Sequence, residues 1–134
     1  MSAEPRWDID YKEGRQAEIW VQDLRESMLS DSIEVKCDRK AVTTGNIYVE
    51  YECLRRGKWC KSGISTTTAR LWVFVLIQDE FAIVITTERL KSIARNSYRK
   101  LSRRKEERDG SHPTKGVIVP IQELVSLVLR EASC

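Results

Sequence analysis

The run Leu71-Trp72-Val73-Phe74-Val75-Leu76-Ile77 constrains this chain more than any other stretch. Seven consecutive apolar residues are far too few to cross a bilayer, where a helix takes about 20. They also lack the alternation of a strand with one wet face. Such a run suits a central strand covered on both sides, and the cover for a sheet of that kind is helical. The rest of the chain supplies candidates. Helices are expected over residues 13–29, from Glu88 to near Arg104, and after Pro120, where a proline opens the first turn. Strands are expected over 33–38, 47–53, 81–85 and 117–119, with a short helix beginning in Ser65-Thr66-Thr67-Thr68-Ala69. The order predicts an α/β fold with a mixed central sheet flanked by helices. Residues 1–12 read as an N-terminal arm and 13–134 as one domain.

Local patterns sharpen this. Ala17, Trp20, Val21, Leu24 and Met28 recur at helical spacing and predict one buried stripe, with Glu18 at its edge. Ile33, Val35 and Cys37 alternate with Glu34, Lys36 and Asp38, so the apolar three should face inward and the charged three outward. Turn-forming residues at 43–46 precede a second alternating run. The two runs are expected to pair as an antiparallel hairpin, with Lys36 opposite Glu50 and Glu34 opposite Glu52. Leu54 to Gly63 reads as a charged loop holding Trp59, Trp20 and Trp72 read as core, and Thr86 or Thr87 as a helix cap.

Charge and cysteine usage narrow the partners. Net charge is +3, but nine Lys or Arg against two acids lie between Arg89 and Arg108, which suits an anionic partner. Four cysteines without a CxxC pair and a single histidine, His112, argue against structural zinc. The first ten residues are polar and acidic and do not resemble a secretory leader. A cytoplasmic protein with reduced thiols and no membrane partner is expected.

The chemistry-bearing feature is Glu34-x-Lys36. Two residues apart on a strand, both side chains leave the same face. A carboxylate can hold a divalent cation while a lysine stabilises charge developing on a phosphate, the combination that phosphodiester cleavage needs. Mg²⁺ or Mn²⁺ would need further oxygens. Candidates are Asp31, Glu50, Glu18 on the first helix, and the carbonyl of Val35. The ordinary alternative is a solvated Glu–Lys pair. Against it stands the crowding of Glu34, Asp38, Glu50 and Glu52 on one expected face, which repels itself unless a cation relieves it.

Glu18 on a helix, then Ile33-Glu34-Val35-Lys36, then Thr44-Gly45-Asn46-Ile47-Tyr48-Val49-Glu50, resembles the PD-(D/E)XK nuclease superfamily. The compact phage and archaeal Holliday-junction-resolvase-like members are most similar, and Ser62 to Ala69 with Trp72 resembles a phage-encoded subfamily. The resemblance spans roughly residues 10–90. It implies a restriction-endonuclease-like α/β fold and a Mg²⁺-dependent endonuclease acting on DNA in a host cytoplasm. In that pattern Glu34 is the metal carboxylate, Lys36 the catalytic lysine and Glu18 the helix-borne acid. The superfamily usually carries a further Asp on a preceding strand. Here Asp31, only three residues before Glu34, or Glu50 takes that place.

Arg95, Arg99, Lys100, Arg103, Arg104 and Lys105 on the basic stretch are the candidate DNA contacts, with a solvated helix face as the plain alternative. Junction cleavage needs two sites, so a homodimer is compatible with this reading. Two rivals remain at this point: a non-catalytic nucleic-acid-binding module, and a phage protein-interaction factor that uses the charged hairpin.

Overall fold

The apolar run forms β4 (Leu71–Ile77), the middle strand of a three-stranded sheet. On one side it pairs in parallel with β1 (Ile33–Cys37), on the other antiparallel with β5 (Phe81–Thr86). These elements come from a computed structural model that describes residues 11–30, 32–108, 110 and 112–132.

The molecule does not build one central sheet. A second, antiparallel sheet has the order β3-β2-β7-β6, with β2 (Asn46–Arg55), β3 (Lys58–Lys61), β6 (Arg104–Glu107) and β7 (Thr114–Pro120). The fold is therefore mixed α/β with two sheets. The expected hairpin between β1 and β2 is overturned: the strands lie in different sheets, and Glu52 faces Lys61 and Lys115 across its ladders, not Glu34. The cause is local. Lys40-Ala41-Val42-Thr43-Thr44 winds into a short helix, α2 (Lys40–Thr44), and Gly45 ends it at φ 73°, a left-handed conformation that glycine adopts without strain. Asp38 fastens the entry. Its Oδ1 accepts from the Ala41 N–H at 3.2 Å and its Oδ2 from the Tyr48 N–H at 2.9 Å, while its own N–H continues the β1 ladder to Val75.

The expected loop after Leu54 is instead the β2–β3 hairpin, turning on Arg56 and Gly57, both at positive φ as a two-residue hairpin turn requires. Trp59 lies on β3, with the Lys115 ammonium 4.1 Å from its ring centre. At 63–65 the chain makes one 3₁₀ turn, and 66–69 is not helical, which corrects the helix expected there.

One core joins both sheets to the helices. Ile47, Val49, Val117 and Val119 from the second sheet meet Trp72, Phe74 and Leu76 of β4. Leu90, Ile93 and Ala94 enter from α3 (Thr87–Tyr98), and Leu124 from α4 (Ile121–Ala132). Thr86 caps α3, its hydroxyl accepting from the Arg89 N–H. The helix ends at Tyr98, short of the expected Arg104. Residues 101–103 make a 3₁₀ turn and 104–107 the edge strand β6, whose charged side chains suit an edge. Pro120 closes β7, and α4 starts one residue later.

Arg103 ties this region together. Its guanidinium grips both Glu123 oxygens at 2.5 Å, with Ser97 Oγ a third acceptor at 3.2 Å. Planar two-point pairing of this kind is among the stronger side-chain contacts, although Glu123 is partly exposed. Arg103→Ala is therefore expected to lower stability by about 1–2 kcal/mol, read as a shift in the urea midpoint at unchanged m-value.

Helix α1 (Tyr11–Leu29) ends where expected but begins two residues earlier, inside the stretch read as an arm, and belongs to a separate unit, residues 1–32. Its stripe is not buried as expected: Trp20 is 50% and Val21 56% exposed, for among the described residues of that unit no second element offers a layer to pack on. No helix among the described residues is long and apolar enough to cross a membrane.

Candidate active site

On β1 the burial runs opposite to expectation. Val35 and Cys37 are exposed, while Glu34 and Lys36 are half-buried. The register explains this. Glu34 pairs with Trp72 and Lys36 with Phe74, two of the three β4 residues that enter the core, so the charged pair stands at the rim of that core. Lys36 Nζ lies 2.9 Å from Glu34 Oε1 and 5.6 Å from the centre of the Trp72 ring. Its stem thus crosses an aromatic surface while its ammonium is held by a carboxylate two residues away.

A cleft of about 680 Å³ opens beside Lys36. Asp38, Tyr48, Glu50 and Lys105 line it with Lys36, and Trp72 forms part of its wall. The buried Trp72 Nε1 has no hydrogen-bond partner among the described residues. Lys36 and Glu50 thus share a cavity although their strands belong to different sheets. Glu34 is not among the residues that line it.

Glu50 is positioned by its backbone. The β2–β7 register slips between Glu50 and Glu52, a bulge that leaves Tyr51 as the extra residue. Gly63 presses against this point: at φ 53°, a Cβ there would stand 2.2 Å from the Glu50 carbonyl oxygen. Tyr48 covers Gly116, where a Cβ would meet the ring at 2.4 Å, and its hydroxyl lies 2.9 Å from Thr114 Oγ1.

The Tyr48 phenol is pushed from the usual 10 up to about 12, first by burial, with the charges of Glu107 and Glu50 adding and the Thr114 hydrogen bond opposing. Ionisation is harder in the folded chain than in the unfolded one. The stability tied to this proton is complete below pH 10 and is lost as pH rises through about 12. Urea midpoints should therefore fall between about pH 9 and about pH 11.5, and fall less in Tyr48→Phe. Equal slopes in both proteins would contradict this.

Other expected site residues are distributed differently. Asp31 lies outside the described residues, and Glu18 lies on α1, in the unit that does not carry Lys36. Among the described residues no three His, Cys, Asp or Glu side chains group closely enough to form a metal cage. Of the expected DNA contacts, Arg103 holds Glu123, and Lys100 stands 3.9 Å from the same carboxylate. Arg104 lies 3.9 Å over the Tyr98 ring and donates to the Tyr98 carbonyl. Lys105 lines the cleft, and Arg95 and Arg99 line a different groove. The fastening role of Asp38 was not expected, although strict alternation had already set it on the face of Glu34 and Lys36.

No protein-family model matches this chain, and no curated protein or solved structure matches it.

Proposed function

We propose that the chain is a Mg²⁺- or Mn²⁺-dependent nuclease that hydrolyses DNA phosphodiester bonds at the cleft beside Lys36. The supporting observation is that Lys36, Asp38 and Glu50 line one cavity, brought together from β1, the turn after it, and β2. Its donor set fits Mg²⁺, which keeps several waters and is bound through one or two carboxylates plus substrate phosphates. Glu50 and Asp38 would hold the ion. Each Asp38 oxygen already accepts one backbone N–H and retains a lone pair. Held there, such an ion would activate water and offset phosphate charge.

Lys36 supplies fixed positive charge toward the non-bridging phosphate oxygens as negative charge accumulates on them. Glu34 keeps that ammonium in place through its 2.9 Å contact, acting as a positioning residue and not as a direct ligand. Lys105 lines the same cavity and can steer the strand's phosphates. Water adds to phosphorus, one ester P–O bond breaks, and the departing oxygen takes up a proton.

End-labelled duplex, single-stranded and four-way-junction DNA, incubated with Mg²⁺, Mn²⁺ or EDTA, tests this reading. Products that form with metal and vanish with EDTA are expected. A second reading is favoured by the Glu34–Lys36 ion pair, which already satisfies the lysine: a nucleic-acid-binding module without chemistry. It predicts retained DNA, indifferent to EDTA and never cut.

A further inference from the structure

A second cavity, of about 580 Å³, lies between α3 and the β2–β3 hairpin. Val117 lines it, whereas Ile118 lines the Lys36 cleft, and successive strand residues point to opposite faces. The two cavities therefore occupy opposite faces of the four-stranded sheet.

Its walls have two characters. Lys91 and Arg95 are one turn apart on α3, Arg99 follows on the same side, and Lys61 reaches in from β3. Against these four cations the lining carries one acid, Glu52, which already has Lys115 at 3.9 Å. Buried Ile64, Ala94 and Val117 make an apolar floor. Tyr51 and Tyr98 form an aromatic wall, their rings edge to face with centroids 5.4 Å apart. Strand alternation turns Tyr51 into this cavity while its neighbour Glu50 lines the other one, and the bulge brings Glu52 to the same side as Tyr51.

A simple anion has no use for an apolar aromatic floor, and an apolar ligand has none for four cations. A ligand with a flat ring and a phosphate uses both, and the volume lies within the range of small-molecule sites. A duplex keeps its bases stacked inside. We propose that this groove takes one unpaired nucleotide of a nucleic-acid strand, its base on the apolar floor and its phosphate among Lys91, Arg95 and Arg99. Stacking on aromatic side chains beside a cationic wall is how single strands are held without sequence preference.

The test is a titration of the full chain, labelled with ¹⁵N, using dTMP, thymidine and inorganic phosphate separately. dTMP should move amide signals in residues 91–99 and around Tyr51. Thymidine and phosphate should each bind about tenfold more weakly or worse. The Lys91→Ala/Arg95→Ala double variant changes exposed or half-exposed side chains. It should keep the wild-type spectrum and lose about tenfold in dTMP affinity. Phosphate binding as tightly as dTMP, shifts centred on the Lys36 cleft, or no shifts at all would overturn the assignment. Because the readout is binding at a separate cavity, it stands apart from the outcome of any cleavage assay.

Discussion

Lys36→Met is expected to slow single-turnover DNA cleavage by about 10²–10³-fold, the usual loss when one preorganised charge-stabilising group is removed. Methionine keeps an unbranched stem of similar length across Trp72 and removes only the ammonium, so packing at the core rim should persist. DNA affinity should change by no more than a few-fold, because one phosphate contact contributes little to a multi-contact interface. The same substitution frees Glu34 from its partner. Both side chains are 39% exposed, so the stability change should be small, within about 1 kcal/mol. Measuring rate, affinity and urea midpoint on one preparation separates the chemical role from a structural one. A rate close to wild type would remove Lys36 from the chemistry.

Gly63→Ala should produce the largest stability loss of the six possible glycine-to-alanine changes. Its φ of 53° already disfavours a side chain, and the added Cβ would overlap the Glu50 carbonyl oxygen at 2.2 Å. That neighbour is backbone within a bulged strand and cannot rotate away. Strain at left-handed φ and overpacking each cost about 1–3 kcal/mol, so a loss of about 3 kcal/mol or more is expected. In a domain of this size that corresponds to a melting temperature lower by about 10 °C. Any relief must come from movement of the bulge, which displaces Glu50 within the cleft. Residual folded protein should therefore also cleave more slowly than its folded fraction explains. Melting unchanged from wild type would mean that the turn at 63–65 does not press on β2 as described.

Much of the local structure was legible in the sequence, and the pairing was not. β4 stands out because Leu71–Ile77 has no polar alternation and is bounded by turn formers; α1 and the Thr86 cap follow from helical spacing and cap chemistry. Alternation in Ile33–Cys37 correctly set Glu34 and Lys36 on a shared face, but it cannot say which face is covered. That was decided by Trp72 and Phe74 on a strand more than thirty residues away. Likewise Thr43-Thr44-Gly45-Asn46 reads as a hairpin turn, since Gly45 does end an element, yet the element is a helix that carries β2 into another sheet. Residues 104–107 hold only charged side chains and carry no apolar signal, so their pairing with β7 rests on backbone hydrogen bonds invisible to pattern. Lys36 and Glu50 were expected to pair across a hairpin; they do not, and what they share is a cleft, their strands lying in different sheets.

The most direct measurement compares wild type with Glu50→Gln on one end-labelled DNA under single-turnover conditions, in Mg²⁺ and in EDTA. Gln preserves size and hydrogen-bonding capacity while removing the charge that would hold the ion. Metal-dependent product from wild type, with the variant binding DNA equally but cutting at least about a hundredfold more slowly, is the predicted result. DNA bound by both proteins and cut by neither in any metal would contradict it.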